Sequence, residues 1–235
     1  MTKFSAVDTI YISSFIGGSI MNWQDRRIAF TDIETTGLEP FWFPDNYGQH
    51  PKLFARHEIC EIGLVVASQP DLEIIARGNI KIKIERPRLI SPEAKRINGY
   101  NEKDWECATS LEDALRQYNN LTNGAIFAAH NVAFDWGFMK IAFTICQIQP
   151  ALDYHRIDLL SYALAVLQTK GYCLTSYRLN DLAKFLGLPQ EPLPHRALNG
   201  AMLAYQVYKT LRTLESAKKA TPYQANPFDI GAPVS

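Results

Sequence analysis

The sequence predicts an α/β domain built around a central, mixed β-sheet with helices on both of its faces. The first strand candidate, residues 28–34, carries apolar residues on both of its sides, which is typical of a strand covered on both faces. Strand and helix candidates then follow one another in one continuous pattern, as in α/β domains. The 235 residues, of which 47% are hydrophobic, are enough for one large domain with a buried core.

Five segments have the pattern of strands. Residues 28–34 (IAFTDIE) place the even-numbered side chains, Asp32 and Glu34 among them, on one side. Residues 73–86 alternate apolar and charged side chains in part, which predicts a strand with one face in water. The remaining strand candidates lie at residues 58–67, 125–129 and 156–159.

Capping residues, proline and glycine mark where helices begin and end. Ser91 followed by Pro92 predicts a helix start, because a capping residue precedes a proline at the first helical position. Gly187 and Pro189 end a short helix. A stripe of small and aromatic residues at helical spacing predicts a long amphipathic helix over residues 195–214. The other helix candidates lie at residues 110–121, 133–148, 161–170 and 179–186.

The predicted domain covers residues 25–215. Residues 1–24 have the character of an N-terminal extension, and residues 216–235 lack periodicity, which predicts a flexible C-terminal tail. No stretch reaches the roughly 20 apolar residues that a membrane span needs. We therefore expect a cytoplasmic protein without a membrane partner.

Charge and cysteine content exclude some classes of protein. Lys plus Arg total 24 and Asp plus Glu total 24, so bulk positive charge cannot coat nucleic acid, although a local basic patch can still contact it. The four cysteines lie far apart without a CxxC pair, which argues against a zinc ribbon or a disulfide scaffold. We interpret them as reduced core thiols.

Asp32 and Glu34 are the first candidates for chemistry. They lie two residues apart on the predicted central strand, so their carboxylates point the same way. Two like charges at a buried strand end repel each other and lose hydration. A divalent cation such as Mg²⁺ or Mn²⁺ usually compensates for this by binding both carboxylates. The alternative is a turn-capping Asp and a surface Glu.

Two further segments carry polar residues beside predicted helix starts. Asp135 follows a short buried strand, where a helix N-terminus favours an acid in any case. Asn131 can likewise be a simple cap. His195 follows Pro194 at a helix start, which suits a general base because the usual histidine pKa is about 6.5. The alternative for His195 is an ordinary polar residue at a helix start.

Three ordered motifs, TDIETTG (31–37), HNVAFDWGFM (130–139) and HRALNGA (195–201), resemble those of the DEDDh, or DnaQ-like, 3′–5′ exonucleases. This family is typified by the proofreading epsilon subunit of a bacterial DNA polymerase. The resemblance covers roughly residues 26–213 and also includes EICEIGLVV, RIDLLSYA and RLNDLAKFLGLP between the motifs.

The resemblance implies a ribonuclease-H-like fold and a two-metal hydrolysis of the 3′-terminal phosphodiester that releases nucleoside 5′-monophosphates. Two Mg²⁺ or Mn²⁺ ions are implied as cofactors. By position, the resemblance implies that Asp32 would bridge both metals, that Glu34 would hold the metal carrying the nucleophilic water, and that Asp135 would support the second metal. It also implies that His195 would deprotonate the attacking water.

The sequence departs from the family at Gly200, where the pattern has a metal-binding Asp. Asn199 cannot replace that acid, because a shift of one residue on a helix turns the side chain by about 100°. Two interpretations remain. One is a substitution that traps an inactive enzyme, which we favour because the surrounding helix still resembles that of an active enzyme. The other is a naturally weakened or inactive member.

Further residues are candidates for substrate contact. The resemblance suggests that Thr35, Thr36 and Gly37 hold the terminal nucleotide. Asn131 and Phe134 adjoin the metal site in sequence, and the core is the favoured place for Phe134. A basic excess between residues 77 and 96 can track a phosphate backbone or form an ordinary hydrated face. That excess comprises Arg77, Lys81, Lys83, Arg86, Arg88, Lys95 and Arg96 against Glu85 and Glu93.

Two segments suggest partners. The loop with Phe41, Trp42, Phe43 and Tyr47 can stack on unpaired bases, dock on a protein or cover the core. Residues 224–228 faintly resemble the short peptides that bind sliding clamps. We expect nucleic-acid 3′ ends as partners, DNA rather than RNA, with a polymerase, a sliding clamp or a CRISPR adaptation complex open as protein partners. The rival hypothesis is a non-catalytic binding module that kept the exonuclease fold.

Overall fold

The computed structural model describes residues 22–40 and 57–217. The aromatic loop, the clamp-like peptide and nearly all of the two terminal segments lie outside the described residues. The strands are β1 (Ile28–Thr35), β2 (Ile59–Ala67), β3 (Ile74–Lys81), β4 (Ile126–Ala129) and β5 (Arg156–Asp158). The helices are α1 (Pro92–Asn98), α2 (Leu111–Thr122), α3 (Val132–Ile145), α4 (Leu159–Thr169), α5 (Leu179–Phe185) and α6 (Ala197–Ser216).

The strands form one mixed five-stranded sheet in the order β3-β2-β1-β4-β5. β1 pairs antiparallel with β2 and parallel with β4, β2 pairs antiparallel with β3, and β4 pairs parallel with β5. β1 is therefore central, and its C-terminal end lies where the antiparallel and parallel halves of the sheet meet. The predicted mixed sheet with flanking helices is confirmed.

The two faces of β1 pack against different sets of helices, as its pattern predicts. Ile28 and Phe30 belong to the core formed with α4, α5 and α6. Ala29 and Ile33 belong to the core formed with α2 and α3. On that second face, the hydroxyl oxygen of Thr31 lies 2.7 Å from that of Tyr118 in α2, which is within hydrogen-bonding distance. Asp32 and Glu34 accordingly face α6.

The predicted cap at Ser91 is confirmed, and two further residues cap helices. The hydroxyl oxygen of Ser91 accepts a hydrogen bond from the Ala94 N–H at the start of α1. Ser110 accepts one from the Asp113 N–H at the start of α2. α4 begins earlier than predicted, because the carboxylate of Asp158 at the end of β5 caps it directly.

Several predicted boundaries differ from the structure. α6 begins at Ala197 rather than at residue 195, because its N-cap Arg196 has extended backbone angles. β3 ends at Lys81, and Ile82 then forms a bridge with Thr109 instead of continuing the strand. α3 ends at Ile145, three residues before the predicted end at 148.

All four cysteines are free, as predicted, but the expectation that they are core thiols is wrong for two of them. Cys60 is buried in β2, whereas Cys107 and Cys173 are exposed. Both exposed cysteines lie in connections between elements, where the sequence carries no periodic pattern from which burial can be inferred.

None of the helices among the described residues combines the length and the apolar character that crossing a membrane requires.

Candidate active site

The site forms on the face of the sheet that α6 covers, near the end of β1. In the β1–β2 register, Asp32 lies opposite Gly63 and Glu34 lies opposite Glu61. Residues that pair directly across two strands point to the same face, so the carboxylates of Glu34 and Glu61 are neighbours. Glu61 is fully buried and Glu34 is only 8% exposed. The sheet thus gathers three acidic side chains under the start of α6.

The start of α6 is held by side chains from β2 and β3. The Ala197 N–H donates to Glu61 Oε2 at 3.4 Å, and the Leu198 N–H donates to Asn79 Oδ1 at 3.2 Å. Asn79 Nδ2 in turn donates to Glu61 Oε1 at 2.6 Å. These bonds satisfy backbone N–H groups that a helix leaves unpaired in its first turn. A buried carboxylate at this end is also stabilised by the helix dipole.

Two glycines allow α6 to lie directly on the acidic residues. A Cβ atom at Gly63 would lie 2.0 Å from the carbonyl carbon and oxygen of Ala197. A Cβ atom at Gly200 would lie 2.5 Å from Asp32 Oδ2. The carboxylate of Asp32 therefore occupies the space in which a side chain at position 200 would begin.

Asp135 approaches the same carboxylates from the first turn of α3. It is 4% exposed, and its Oδ1 accepts a hydrogen bond from the Ile33 N–H at 3.2 Å. Its charge is the largest influence after burial on the pKa of Asp32. The structure thus brings together Asp32, Glu34 and Asp135, as the sequence predicts.

Burial and mutual repulsion disfavour the ionised forms of these carboxyl groups. Burial, followed by the charges of Asp135 and Glu34, raises the pKa of Asp32 well above its usual value. Burial, followed by the charges of Glu191 and Glu61, raises the pKa of Glu34 to about 8. Burial likewise raises the pKa of Asp135 to about 8. A divalent cation relieves this kind of repulsion, and carboxylate oxygens are the ligands that Mg²⁺ and Mn²⁺ prefer.

His195 lies just before α6, beside this acidic cluster. Its backbone N–H donates to the Ile97 carbonyl at 2.8 Å, which ties the segment to α1. Its imidazole is 33% exposed, and Nδ1 lies 3.8 Å from Glu191 Oε2. One ligand atom each from Glu34, Glu191 and His195 lie within 4.8 Å of one another. The histidine is therefore close to both the acids and the solvent.

The predicted substrate residues lie around the same strand end. Thr35 donates its hydroxyl to the Gly37 carbonyl at 2.7 Å, and the Thr36 hydroxyl oxygen accepts from the Glu58 N–H at 2.8 Å. Thr36 is fully buried, so its hydroxyl serves the turn after β1 in this structure.

Asn131 and Phe134 lie at the start of α3. Asn131 is exposed, has a left-handed backbone (φ 59°) and makes no capping bond with its side chain. Phe134 is half-buried and packs against Phe138, with ring centroids 5.1 Å apart. The favoured placement of Phe134 against the core is therefore what the structure shows.

Only some of the basic side chains between residues 77 and 96 make contacts within the described part of the chain. Arg96 pairs with Glu93, and Lys81 Nζ lies 4.4 Å from the centre of the Trp105 ring. Other basic side chains on this stretch are exposed, namely Arg77, Lys83, Arg88 and Lys95.

Glu61, Gly63 and Glu191 belong to the site but are not among the residues that the sequence predicts. For the first two, a signal was present, because a Glu and a Gly interrupt the otherwise apolar strand ICEIGLVVA. Glu191 lies in the aperiodic segment before α6, and no spacing rule connects it with Glu34.

The family model described as Exonuclease matches residues 29–208, which include every residue of the site described above. The chain belongs to this exonuclease family. The resemblance to DnaQ-like exonucleases is thereby confirmed, and the relatives agree with it. DNA polymerase III PolC-type from Thermotoga petrophila is 30% identical over 201 residues. DNA polymerase III subunit epsilon from Treponema pallidum is 28% identical over 188 residues.

The chain covers these relatives to different extents. The match spans 84% of this chain but only 12% of the PolC-type protein. It spans 79% of this chain and 77% of the epsilon subunit.

Solved structures confirm the ribonuclease-H-like fold of this chain. Escherichia coli exonuclease I in complex with a dA16 oligonucleotide superposes with a TM-score of 0.64 and 18% identity. The superposition covers 80% of this chain and 41% of that one.

Proposed function

We propose that this exonuclease hydrolyses the 3′-terminal phosphodiester of single-stranded DNA, or RNA, to nucleoside 5′-monophosphates by the two-metal mechanism of the DEDDh type. The observation that carries the proposal is the gathering of Asp32, Glu34 and Asp135 beneath α6 with His195 beside them. We further propose that Gly200 weakens the activity of the chain.

The acidic residues fit a pair of Mg²⁺ or Mn²⁺ ions. Glu34 is 8% exposed and Asp135 is 4% exposed, so both carboxylates lose most of their hydration. A buried charge is costly unless a partner such as a cation neutralises it. Asp32, Glu34 and Asp135 would hold the ions. When bound, two such ions activate a water molecule and stabilise the leaving 3′ oxygen.

The chain itself supplies a proton acceptor. His195 has a backbone position held by Ile97 and an imidazole with access to solvent, so it can take the proton of the attacking water and release it. Thr35 and Gly37 bring their backbone to the same strand end, where they would position the terminal nucleotide. Asn131 offers an exposed amide at the start of α3 for the same purpose.

Gly200 weakens the site because it offers no side-chain ligand. The family has an Asp at this position, and here the carboxylate of Asp32 fills the space instead. A site with one acid fewer binds cations less tightly.

DNA is the favoured substrate because several of the relatives, among them those from Thermotoga petrophila and Treponema pallidum, are named as DNA polymerase III proteins. Their names also favour a polymerase as the protein partner. A non-catalytic binding module remains the second candidate function, and Gly200 is the observation that favours it.

Nuclease assays of the chain and of Gly200→Asp test the proposal. Both proteins are incubated with 5′-labelled single-stranded DNA and RNA of the same sequence, with Mg²⁺ or with Mn²⁺. We expect slow shortening from the 3′ end by the chain and faster shortening by Gly200→Asp, because the substitution restores the missing ligand. Asp135→Asn in both backgrounds is the control for contaminating nucleases. If Gly200→Asp shortens neither substrate from the 3′ end, the binding-module function replaces the exonuclease function.

A further inference from the structure

We propose that Glu191 supplies a carboxylate ligand to the divalent cation beside Glu34, in place of the acid that is missing at position 200. This inference rests on the proposed function, since it names a further ligand in the same site. Glu191 lies outside the three sequence motifs, in the segment between α5 and α6.

The distances suit a hexacoordinate cation. One ligand atom each from Glu34, Glu191 and His195 lie within 4.8 Å of one another. Ligands of Mg²⁺ lie about 2.0–2.1 Å from the ion, so two ligands on opposite sides of it are about 4 Å apart. Small movements of the side-chain ends therefore bring both carboxylates to the cation, with the imidazole of His195 beside it.

Glu34 is a largely buried group whose charged form is costly. The residue is 8% exposed, and its carboxylate lies with Glu191 and His195 beside the start of α6. A buried carboxylate loses hydration, and a cation compensates for that loss. A cation between these three side chains therefore has a carboxylate to neutralise.

The side chain of Glu191 is largely covered, and one of its carboxylate oxygens is available. Its side chain is 8% exposed. Oε1 accepts a hydrogen bond from the Arg196 N–H at 3.1 Å. Oε2 lies 3.8 Å from His195 Nδ1, which is too long for a hydrogen bond. The first oxygen therefore holds the side chain in place, and the second is available to a cation.

The segment that carries Glu191 is anchored at both ends. The Glu191 N–H donates to Asn180 Oδ1 at 2.8 Å, and Gln190 Nε2 donates to the Asn180 carbonyl at 3.2 Å. Four residues later, the His195 N–H donates to the Ile97 carbonyl at 2.8 Å. These bonds place the carboxylate before any cation binds, which reduces the conformational cost of binding.

Titration with Mn²⁺, followed by electron paramagnetic resonance of the free ion, tests the inference without relying on activity. The unaltered protein is compared with Glu191→Gln, whose amide oxygen can still accept the Arg196 N–H. Glu112→Gln is the matched control, because Glu112 is an exposed acid on α2 that pairs with Arg116. We expect Glu191→Gln to bind Mn²⁺ at least about tenfold more weakly, comparable with the loss that follows removal of an outer partner of a metal site. Glu112→Gln should bind as the unaltered protein does.

A second pair of variants separates loss of the ligand from damage to the fold. Glu191→Ala repeats the measurement with another side chain, and thermal unfolding is recorded for each variant. Gly200→Asp combined with Glu191→Gln should recover Mn²⁺ binding, because it returns an acid to the family position. Unchanged Mn²⁺ affinity in Glu191→Gln, or no recovery in the double variant, would overturn the inference.

A failure of the Glu191 inference can be distinguished from a failure of the proposed exonuclease function. If the protein shortens 3′ ends and Glu191→Gln binds Mn²⁺ with unchanged affinity, the exonuclease function is retained and the assignment of Glu191 as a ligand is wrong. If Mn²⁺ binding depends on Glu191 while no substrate is shortened, the cation site stands and the exonuclease function is wrong.

Discussion

Position 200 shows how much a single side chain determines in this site. Without a Cβ atom there, the carboxylate of Asp32 lies against α6, 2.5 Å from where that atom would be. An Asp at position 200 requires the Asp32 side chain to move aside. The short side chain can rotate, so we expect this substitution to be tolerated when a cation is present.

The role of His195 is tested in the Gly200→Asp background, where turnover is high enough to measure. His195→Ala should lower kcat by roughly 10²–10⁴-fold, because the attacking water loses its proton acceptor. KM should change little, since the imidazole is not expected to bind the substrate. His195→Gln, which keeps a polar side chain but cannot accept the proton, should be equally slow. Equal kcat in the histidine and alanine proteins would reassign His195 to a structural role before α6.

α6 is the element that completes the site, and β2 determines where it lies. Ala197 rests directly on Gly63, and Glu61 and Asn79 accept hydrogen bonds from the first turn. One turn further, Gly200 reaches Asp32. The position of α6 over the acids thus depends on the absence of a side chain at Gly63.

Gly63→Ala tests this dependence. The added methyl group would lie 2.0 Å from the backbone of Ala197, which cannot move aside as a side chain can. We expect a loss of unfolding free energy of at least about 1–3 kcal/mol in urea titrations. Gly78→Ala is the matched control, because its nearest neighbour is the flexible end of Leu64 at 3.2 Å. Similar unfolding free energies for both variants would show that α6 is not held at Gly63.

At the scale of the whole molecule, the chain has no net charge, yet several acidic residues cluster around the start of α6. Lys plus Arg and Asp plus Glu each total 24, yet Asp32, Glu34, Glu61, Asp135 and Glu191 surround the start of α6. Burial raises the pKa of Glu34 and of Asp135 to about 8 in the folded chain. Their usual values are 4.5 and 3.8.

These shifts predict how the stability of the metal-free protein depends on pH. Between the usual and the raised pKa values, the folded chain binds more protons than the unfolded chain, so stability falls as pH rises. With a chelator present, the melting temperature at about pH 8.5 should be lower than at about pH 6. Mg²⁺ should reduce the difference by binding the ionised acids of the folded state.

Two variants provide controls for the pH prediction. Glu34→Gln removes one of the raised groups and should flatten the pH dependence. Gly200→Asp adds a carboxylate, so it should steepen the fall and show a larger rise in melting temperature on addition of Mg²⁺. A melting temperature that stays constant or increases towards pH 8.5 in the chelated protein would contradict the raised pKa values.

The sequence by itself determined the sheet, the helices and the acids on β1, because these depend on periodicity and on neighbours in the chain. The alternation in residues 28–34 correctly separates the two faces of β1, and the motif at Asp135 correctly identifies an acid near them. The capping residue Ser91, followed by Pro92, located the start of α1 for the same local reason.

Only the tertiary structure decided which distant residues complete the site. The register of β1 and β2 places Glu61 and Gly63 opposite the acids of β1. Glu191 lies near Glu34 because its segment is hydrogen-bonded to α5. Such contacts join residues that are far apart in the chain, and no local sequence pattern predicts that they lie close together in space. Strand pairing and the packing of α6 on the sheet bring them together, so their proximity is decided only when the chain folds, even though a Glu and a Gly within an apolar strand mark positions 61 and 63 in the sequence.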